Sequence, residues 1–414
     1  MAGIRPAAHN SETSMKIENP HPIQWQFSER AQGLQSSFIR EILKITQRPE
    51  IISFAGGLPS PATFPVERMK AAYDKVLSET GKVALQYGPT DGYAPLREWI
   101  ANSLSTEGTK ILPEQILMVS GSQQALDLIG KVLIDEGSRV LVETPSYLGA
   151  LQAFSVYRPE FASVDTDDDG LVPASIDAVA SGANRARLLY SLPNFQNPTG
   201  RSLSIARRLE LVETCARLGL PLIEDDPYGA LSYSGAPMPK MVAMNPDGVI
   251  YMGSFSKVLT PGIRLGYVCA PLPLVRRLEL AKQAADLHTA QLTQMVVHEV
   301  IKDGFLDEHI PTIRTLYGKQ CRAMLDAMAE HFPAGVSWTK PEGGMFIWVT
   351  LPKSIDAMKL LDTAIASRVA FVPGAPFYAN EGETNTLRLS FVTVPPERIR
   401  EGIAILGKLI AALL

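Results

Sequence analysis

Three cysteines in 414 residues are too few and too scattered to staple a fold. Cys215 and Cys269 sit in apolar stretches and Cys321 in a predicted helix, an odd set with no redox or metal-ligand spacing. That excludes a disulfide framework and reads as buried thiols in a reducing compartment. No apolar run is long enough to span a bilayer. Residues 1–20 are polar and carry no signal-peptide core, so they read as a disordered N-terminal tail, and the cytoplasm is the expected location. Neither sign of charge dominates. The 39 basic and 43 acidic residues leave −4, which gives no footprint for nucleic acid or an anionic membrane. Repeats and low-complexity blocks are missing as well. The acidic run Asp167–Asp169 before Gly170 reads as a solvated turn, since nothing else supplies metal ligands.

What is present is an ordinary globular composition, 46% hydrophobic and 20% charged, in a chain long enough to bury a large core in one large or two medium domains. From about Gln86 to Ala270, short apolar, β-branched runs alternate with helical patterns. The runs are Ile116–Val119, Arg139–Val142, Phe161–Val164, Arg187–Leu192, Leu220–Ile223, Val249–Met252 and Gly266–Cys269, with helices predicted at Ser122–Asp135 and Ile205–Leu218. Such alternation predicts a mostly parallel α/β sheet covered on both faces, with its site at the C-terminal ends of the strands. After Leu274 the pattern turns helical to about Glu330. Strand-like runs follow at Val336–Thr339, Met345–Thr350, Ala370–Val372 and Thr386–Phe391, a smaller α+β domain. A helix at about Ser36–Thr46 and the loop Phe54–Pro65 precede the large domain.

Polar residues cluster where this scheme puts a site. Lys257 follows the run Val249–Met252 and the serines Ser254 and Ser256, with Arg264 seven positions on. A lysine there can do imine chemistry and the arginine can hold a phosphate, although a lone match of this kind is more often a solvated loop. Ser120-Gly121-Ser122-Gln123 closes a strand and opens a helix, either as an anion cradle or as an ordinary N-cap with Ser122 as the cap. Tyr147, in Pro145-Ser146-Tyr147, either stacks on a flat heterocycle or covers the sheet edge. The turn Asn194–Gly200 carries an amide, Asn197, suited to a phenolate oxygen. Glu224-Asp225-Asp226 ends an apolar run, where one buried carboxylate could pair with a protonated pyridine and some of the three would form a solvated turn. Tyr228 follows three residues after Asp225. Arg388 lies inside an apolar strand, as a carboxylate fork or as half of a structural ion pair.

Taken with further strings, these segments resemble the fold-type I pyridoxal phosphate aminotransferases of class I/II, over nearly the whole chain. Within that group the chain is most similar to the 2-aminoadipate and kynurenine/2-aminoadipate branch. The shared strings are Ser53–Pro59, Ala84–Pro89, the Gly121 loop, Gln196–Gly200, Asp225–Tyr228, Ser254–Lys257, Lys282–His288 and Gly343–Phe346. The resemblance implies a large pyridoxal 5′-phosphate-binding domain (65–305) with a mostly parallel seven-stranded sheet and a smaller α+β domain (306–414). An N-terminal segment (21–64) would pack on the small domain. It further implies that Lys257 binds the cofactor covalently and moves the α-proton. Asp225 would keep the pyridine nitrogen protonated. Asn197 and Tyr228 would bond the ring oxygen, and Tyr147 would stack on the ring. Ser122, Gln123, Ser254, Ser256 and Arg264 would hold the phosphate, joined by Tyr87 from the other subunit of a homodimer. Arg388 and Asn197 would take the substrate carboxylate, and Gly57 would line the pocket.

The implied reaction moves an amino group from an L-amino acid to a 2-oxo acid, 2-oxoglutarate by expectation, with ping-pong kinetics. The segment Ala31–Gln35 has Gly33 where some 2-aminoadipate enzymes of the branch carry an arginine, which favours a broad range of larger apolar, aromatic or acidic donors; Arg30 is the nearest replacement. The same fold also serves lyases and decarboxylases. Some regulators fuse it to a DNA-binding module, but about fifty residues before Phe54 are too few for one. His288 reads as a structural histidine.

Overall fold

In the computed structural model, residues 23–34, 42, 48–182, 184–234 and 238–414 are described. The tail 1–20 and, apart from Ile42, the helix expected at Ser36–Thr46 lie outside them. The larger sheet has seven strands, in the spatial order 116–119, 266–269, 249–254, 222–225, 186–191, 139–143, 160–164. The last five are mutually parallel, and 266–269 runs antiparallel to both of its neighbours. The C-terminal ends of six strands therefore share one edge with the N-terminal end of the seventh. That seventh strand is entered immediately after Arg264, which explains why this arginine arrives where the other strands end.

Both faces of the sheet are buried, as near-continuous apolar strands require. Val119, Val142, Leu188, Tyr190, Ile223, Met252 and Val268 pack beneath helices Ser122–Leu133, Leu148–Ser155 and Leu272–Ala285. Met118, Leu141, Leu189, Leu222 and Tyr251 face the other way, towards helices Val66–Ala84, Ile205–Leu218 and Gln291–Ile301. Ends are marked locally. Ser204 caps helix Ile205–Leu218 through the Arg207 amide, and Gly219 closes it.

A four-stranded antiparallel sheet, in the order 337–338, 346–350, 386–390, 372–373, packs with helices Phe305–His331, Ala357–Ala366 and Pro396–Ala411 in a separate apolar cluster. Ile52–Ser53 pairs in parallel with Val369–Ala370, which anchors the Phe54 loop there. Further towards the N-terminus, Glu29 instead forms an ion pair with Arg158. No described helix is long and apolar enough to cross a membrane.

Among the strand limits that differ from the expectation, two do so for a clear physical reason. The strand expected at Leu220–Ile223 is Leu222–Asp225, and it carries acidic residues into the sheet because they find donors there. Glu224 accepts from the amides of Met241 and Val242 at 3.0 and 2.9 Å. The run Ala370–Val372 is split between two sheets.

Candidate active site

The shared strand edge gathers the polar residues into one cleft. Lys257 follows strand Val249–Ser254, and its Nζ donates to the carbonyl of Gly57 at 2.9 Å. Burial first, then the charges of Arg388 and Arg264, push the amine down to about 8. A lysine in that range is neutral often enough to act as nucleophile and base. A β-carbon on Gly57 would stand 3.3 Å from the ring of Phe346, so this wall of the cleft has no spare room.

Asp225 is buried at its strand end. Oδ2 accepts from the hydroxyl of Tyr190 at 2.7 Å, while Oδ1 has no partner among the described residues. Burial raises the carboxyl to about 7. A buried carboxylate oxygen without a donor is costly unless a ligand supplies one. A protonated pyridine nitrogen is such a donor. None of the three acidic residues is a free turn: Asp226 bonds Asn194 and Tyr251, at 2.7 and 2.9 Å.

Arg388 reaches the cleft from the smaller sheet. Nη1 donates to Asn197 Oδ1 and Nη2 to the carbonyl of Ala55, both at 2.8 Å. Its guanidinium lies 4.3 Å from the ring centroid of Phe346 and 5.1 Å from that of Phe377. Burial lowers it to about 10. No described carboxylate pairs with it, and Nε is unbonded. The alternative of a structural ion pair finds no partner among the described residues, and a buried guanidinium of this kind suits an anion in fork geometry. Asn197 also lies near the hydroxyl of Tyr228, whose acidity burial suppresses strongly. Tyr147 is half-buried beside these groups, and burial raises its hydroxyl to about 12.

The turn before helix Ser122–Leu133 is built for close approach. Gly121 has φ +88°, a left-handed value that favours glycine, and a β-carbon there would fall 2.4 Å from Arg264 Nη2. Gly121 is the helix N-cap and Ser122 the first helical residue, so Ser122 is not the cap. Arg264 itself takes the left-handed φ of +49°, uncommon for a non-glycine residue and concentrated at functional sites. Ser254 Oγ accepts from the Ser256 amide at 3.1 Å, tightening the turn into Lys257. Gln123 donates to the Gly149 carbonyl at 2.9 Å.

The loop that presents Asn197 is pinned by a carboxylate the sequence reading passed over. Glu143 accepts from Ser191 Oγ at 2.7 Å and Gln196 Nε2 at 2.8 Å, and burial raises it to about 7. Gln196 in turn accepts from the amide and hydroxyl of Thr199. Tyr190 was also missed, although its place one residue before a strand end was a signal.

Tyr87 is not brought into this cleft within the chain. It is 78% exposed and lies edge-on to His288, with ring centroids 5.7 Å apart. Next to Arg30, Glu29 pairs with Arg158, which lies just before strand 160–164 at the end of the sheet away from Lys257.

Residues 50–406 match the family model for class I and II aminotransferases. The chain is 46% identical to a 2-aminoadipate transaminase of Thermus thermophilus, over 95% of this chain and 99% of that one. It is 44% identical to aromatic-amino-acid aminotransferase 1 of Thermococcus litoralis, over 93% and 94%. Among solved structures it superposes, with a TM-score of 0.87 and 45% identity, on an α-aminoadipate aminotransferase from Thermus thermophilus complexed with N-(5′-phosphopyridoxyl)-L-leucine. That match covers 94% of this chain and 97% of the other.

Proposed function

This chain belongs to the class I and II aminotransferases, working with pyridoxal 5′-phosphate on the fold-type I architecture, and from that footing we propose its donors and the roles of its residues. The donors are L-2-aminoadipate, aromatic and large apolar L-amino acids, and 2-oxoglutarate is the acceptor. The single observation that carries the residue assignment is the convergence of a buried lysine of lowered pKa, a half-bonded buried carboxylate and an unpaired buried arginine on one cleft.

Bound in the cleft, the cofactor supplies an electron sink and a carbon that accepts nitrogen. Lys257 holds it covalently through Nζ and, once released by substrate, takes the α-proton there. Asp225 Oδ1 keeps the pyridine nitrogen protonated, with Tyr190 fixing the other oxygen. Asn197 and Tyr228 bond the ring oxygen, and Tyr147 covers one ring face. The backbone of Gly121 and Ser122, with Gln123, Ser254, Ser256 and Arg264, holds the phosphate. Arg388, oriented by Asn197, takes the substrate's α-carboxylate, and Gly57 limits the space beside it. Tyr87 reaches the phosphate of a partner subunit in a homodimer. A domain of residues 65–305 carries the cofactor, and residues 306–414 supply Arg388.

The donor range rests on the two relatives' named substrates, the leucine conjugate in the solved structure, and Gly33 in place of a cation. Steady-state rates with 2-oxoglutarate across a donor panel test it. Activity with 2-aminoadipate, phenylalanine and leucine within about two orders of magnitude of each other supports the reading. Turnover of a single small donor such as alanine alone refutes it.

A further inference from the structure

We propose that buried Lys282, paired with the part-exposed carboxylate of Asp286, is a positioning device for the phosphate-binding turn Ser120–Ser122. The proposal rests on the reading of that turn given above. Lys282 lies in the last turn of helix Leu272–Ala285, with its side chain 0% exposed. An ammonium has three donor hydrogens, and here three acceptors meet it. They are Gln124 Oε1 at 2.8 Å, Asp286 Oδ1 at 2.8 Å and Asp286 Oδ2 at 3.0 Å.

The partners of Lys282 converge on Ser120. Gln124 Oε1 also accepts from the Ser120 amide at 2.8 Å, and Gln124 Nε2 donates to Asp286 Oδ2 at 2.7 Å. Lys282 thus fixes which way round the Gln124 amide sits. The hydroxyl of Ser120 donates to Asp286 Oδ2 at 3.3 Å and lies 3.3 Å from Thr289 Oγ1. Its carbonyl faces Arg264 Nη2 at 3.5 Å. All three polar groups of Ser120 are therefore held, and the amides that follow it, at Gly121 and Ser122, point as the turn directs. The far side is anchored too. The His288 amide donates to the Asp286 carbonyl at 2.8 Å, and the Gly88 amide donates to His288 Nε2 at 3.3 Å.

Stability alone gives little reason for a lysine here. An ammonium enclosed as Lys282 is, with its carboxylate partner at the surface, is commonly no better than a well-packed apolar side chain of the same volume. A methionine would fill the space but would leave Gln124 free to turn and Ser120 unguided. The pair instead imposes a single geometry on a turn whose amides must meet a dianion.

The test uses the full-length protein stripped of cofactor and titrated with pyridoxal 5′-phosphate and, separately, with pyridoxal, which lacks the phosphate. Binding is read by cofactor absorbance. Lys282→Met is expected to weaken pyridoxal 5′-phosphate about tenfold or more and to change pyridoxal less than about twofold. Turnover at saturating cofactor should stay within about twofold of wild type. Asp286→Asn, which keeps the shape of the cluster, should show the same asymmetry and stands in if Lys282→Met fails to fold. Unchanged affinity for pyridoxal 5′-phosphate in both variants would overturn the proposal, as would an equal loss for both compounds. A wild-type protein with no preference for the phosphorylated compound would overturn the phosphate-turn reading itself, which separates the two failures.

Discussion

Arg388 and Asn197 are 191 positions apart in the chain, yet Nη1 of the arginine donates to Oδ1 of the asparagine at 2.8 Å inside a site with no described counter-ion. One residue belongs to the smaller sheet and the other to a turn at the edge of the larger one. Under the proposed role, their bond would aim the guanidinium at a substrate carboxylate. A charged hydrogen bond of this kind contributes about 2 kcal/mol, or roughly thirtyfold in affinity. Arg388→Lys should therefore lower kcat/KM at least that much. The loss should be equal for all donors, because every amino acid carries the same α-carboxylate. Steady-state kinetics across the donor panel check it; a loss confined to some side chains would place Arg388 elsewhere in the pocket.

The Lys257 amine, lowered to about 8 from 10.5, gives a signed pH effect. Between those values the unfolded chain holds a proton that the folded one has released, so this group makes the cofactor-free protein more stable as pH rises through that window. Below about 8 the enclosed ammonium is a burden. Lys257→Met should raise the melting temperature of the cofactor-free protein at pH 7 while abolishing turnover. Wild-type capture of cofactor should also speed up with pH and level off above about 8. Melting curves and stopped-flow absorbance measure these effects.

Asp225 has the opposite sign. Its carboxyl is raised to about 7 from 3.8, so the folded cofactor-free protein binds the extra proton between those values and this group costs stability as pH rises through the window. A bound pyridinium reverses that. Asp225→Asn should stabilise the cofactor-free protein at pH 7 and sharply reduce the extra stability conferred by added cofactor. Tyr190→Phe, which removes the bond to Oδ2, should weaken cofactor binding more mildly. Paired melts with and without cofactor from pH 5 to 8 decide the matter.

Glu143 and Gln196 offer a swap. Glu143→Gln sets two donor amides against each other and should loosen the turn that presents Asn197, raising KM for donors about tenfold with kcat affected less. Glu143→Gln combined with Gln196→Glu restores a donor–acceptor pair and keeps an acceptor for the hydroxyl and amide of Thr199, but loses the bond from Gln196 Nε2 to the Pro145 carbonyl at 2.8 Å. The double variant should recover part of the affinity. A KM unchanged in Glu143→Gln alone would show that this pair does not hold the turn.

Most of the larger sheet was legible because apolar runs bounded by helical patterns have few other solutions; Ile116–Val119, Gly266–Cys269 and helix Ile205–Leu218 fall where the periodicity puts them. The acidic end of strand Leu222–Asp225 was not, because polarity suggested a turn while the donors that make burial tolerable, Tyr190 and the Met241 and Val242 amides, come from elsewhere in the chain. The same holds for Glu143, which looks unremarkable until Ser191 and Gln196 are seen to face it. Lys257 and Arg388 stood out as charges in apolar surroundings. Their mutual influence, and the Gly57 carbonyl that receives the lysine, needed the folded chain.

The most direct measurement is a half-reaction. Holoenzyme is mixed with one L-amino acid and no acceptor while cofactor absorbance and 2-oxo acid release are followed. The account predicts complete conversion of the bound cofactor to its aminated form, release of one 2-oxo acid per subunit, and reversal on adding 2-oxoglutarate. Repeated consumption of the amino acid without an acceptor, or an absorbance unmoved by every donor, would contradict it.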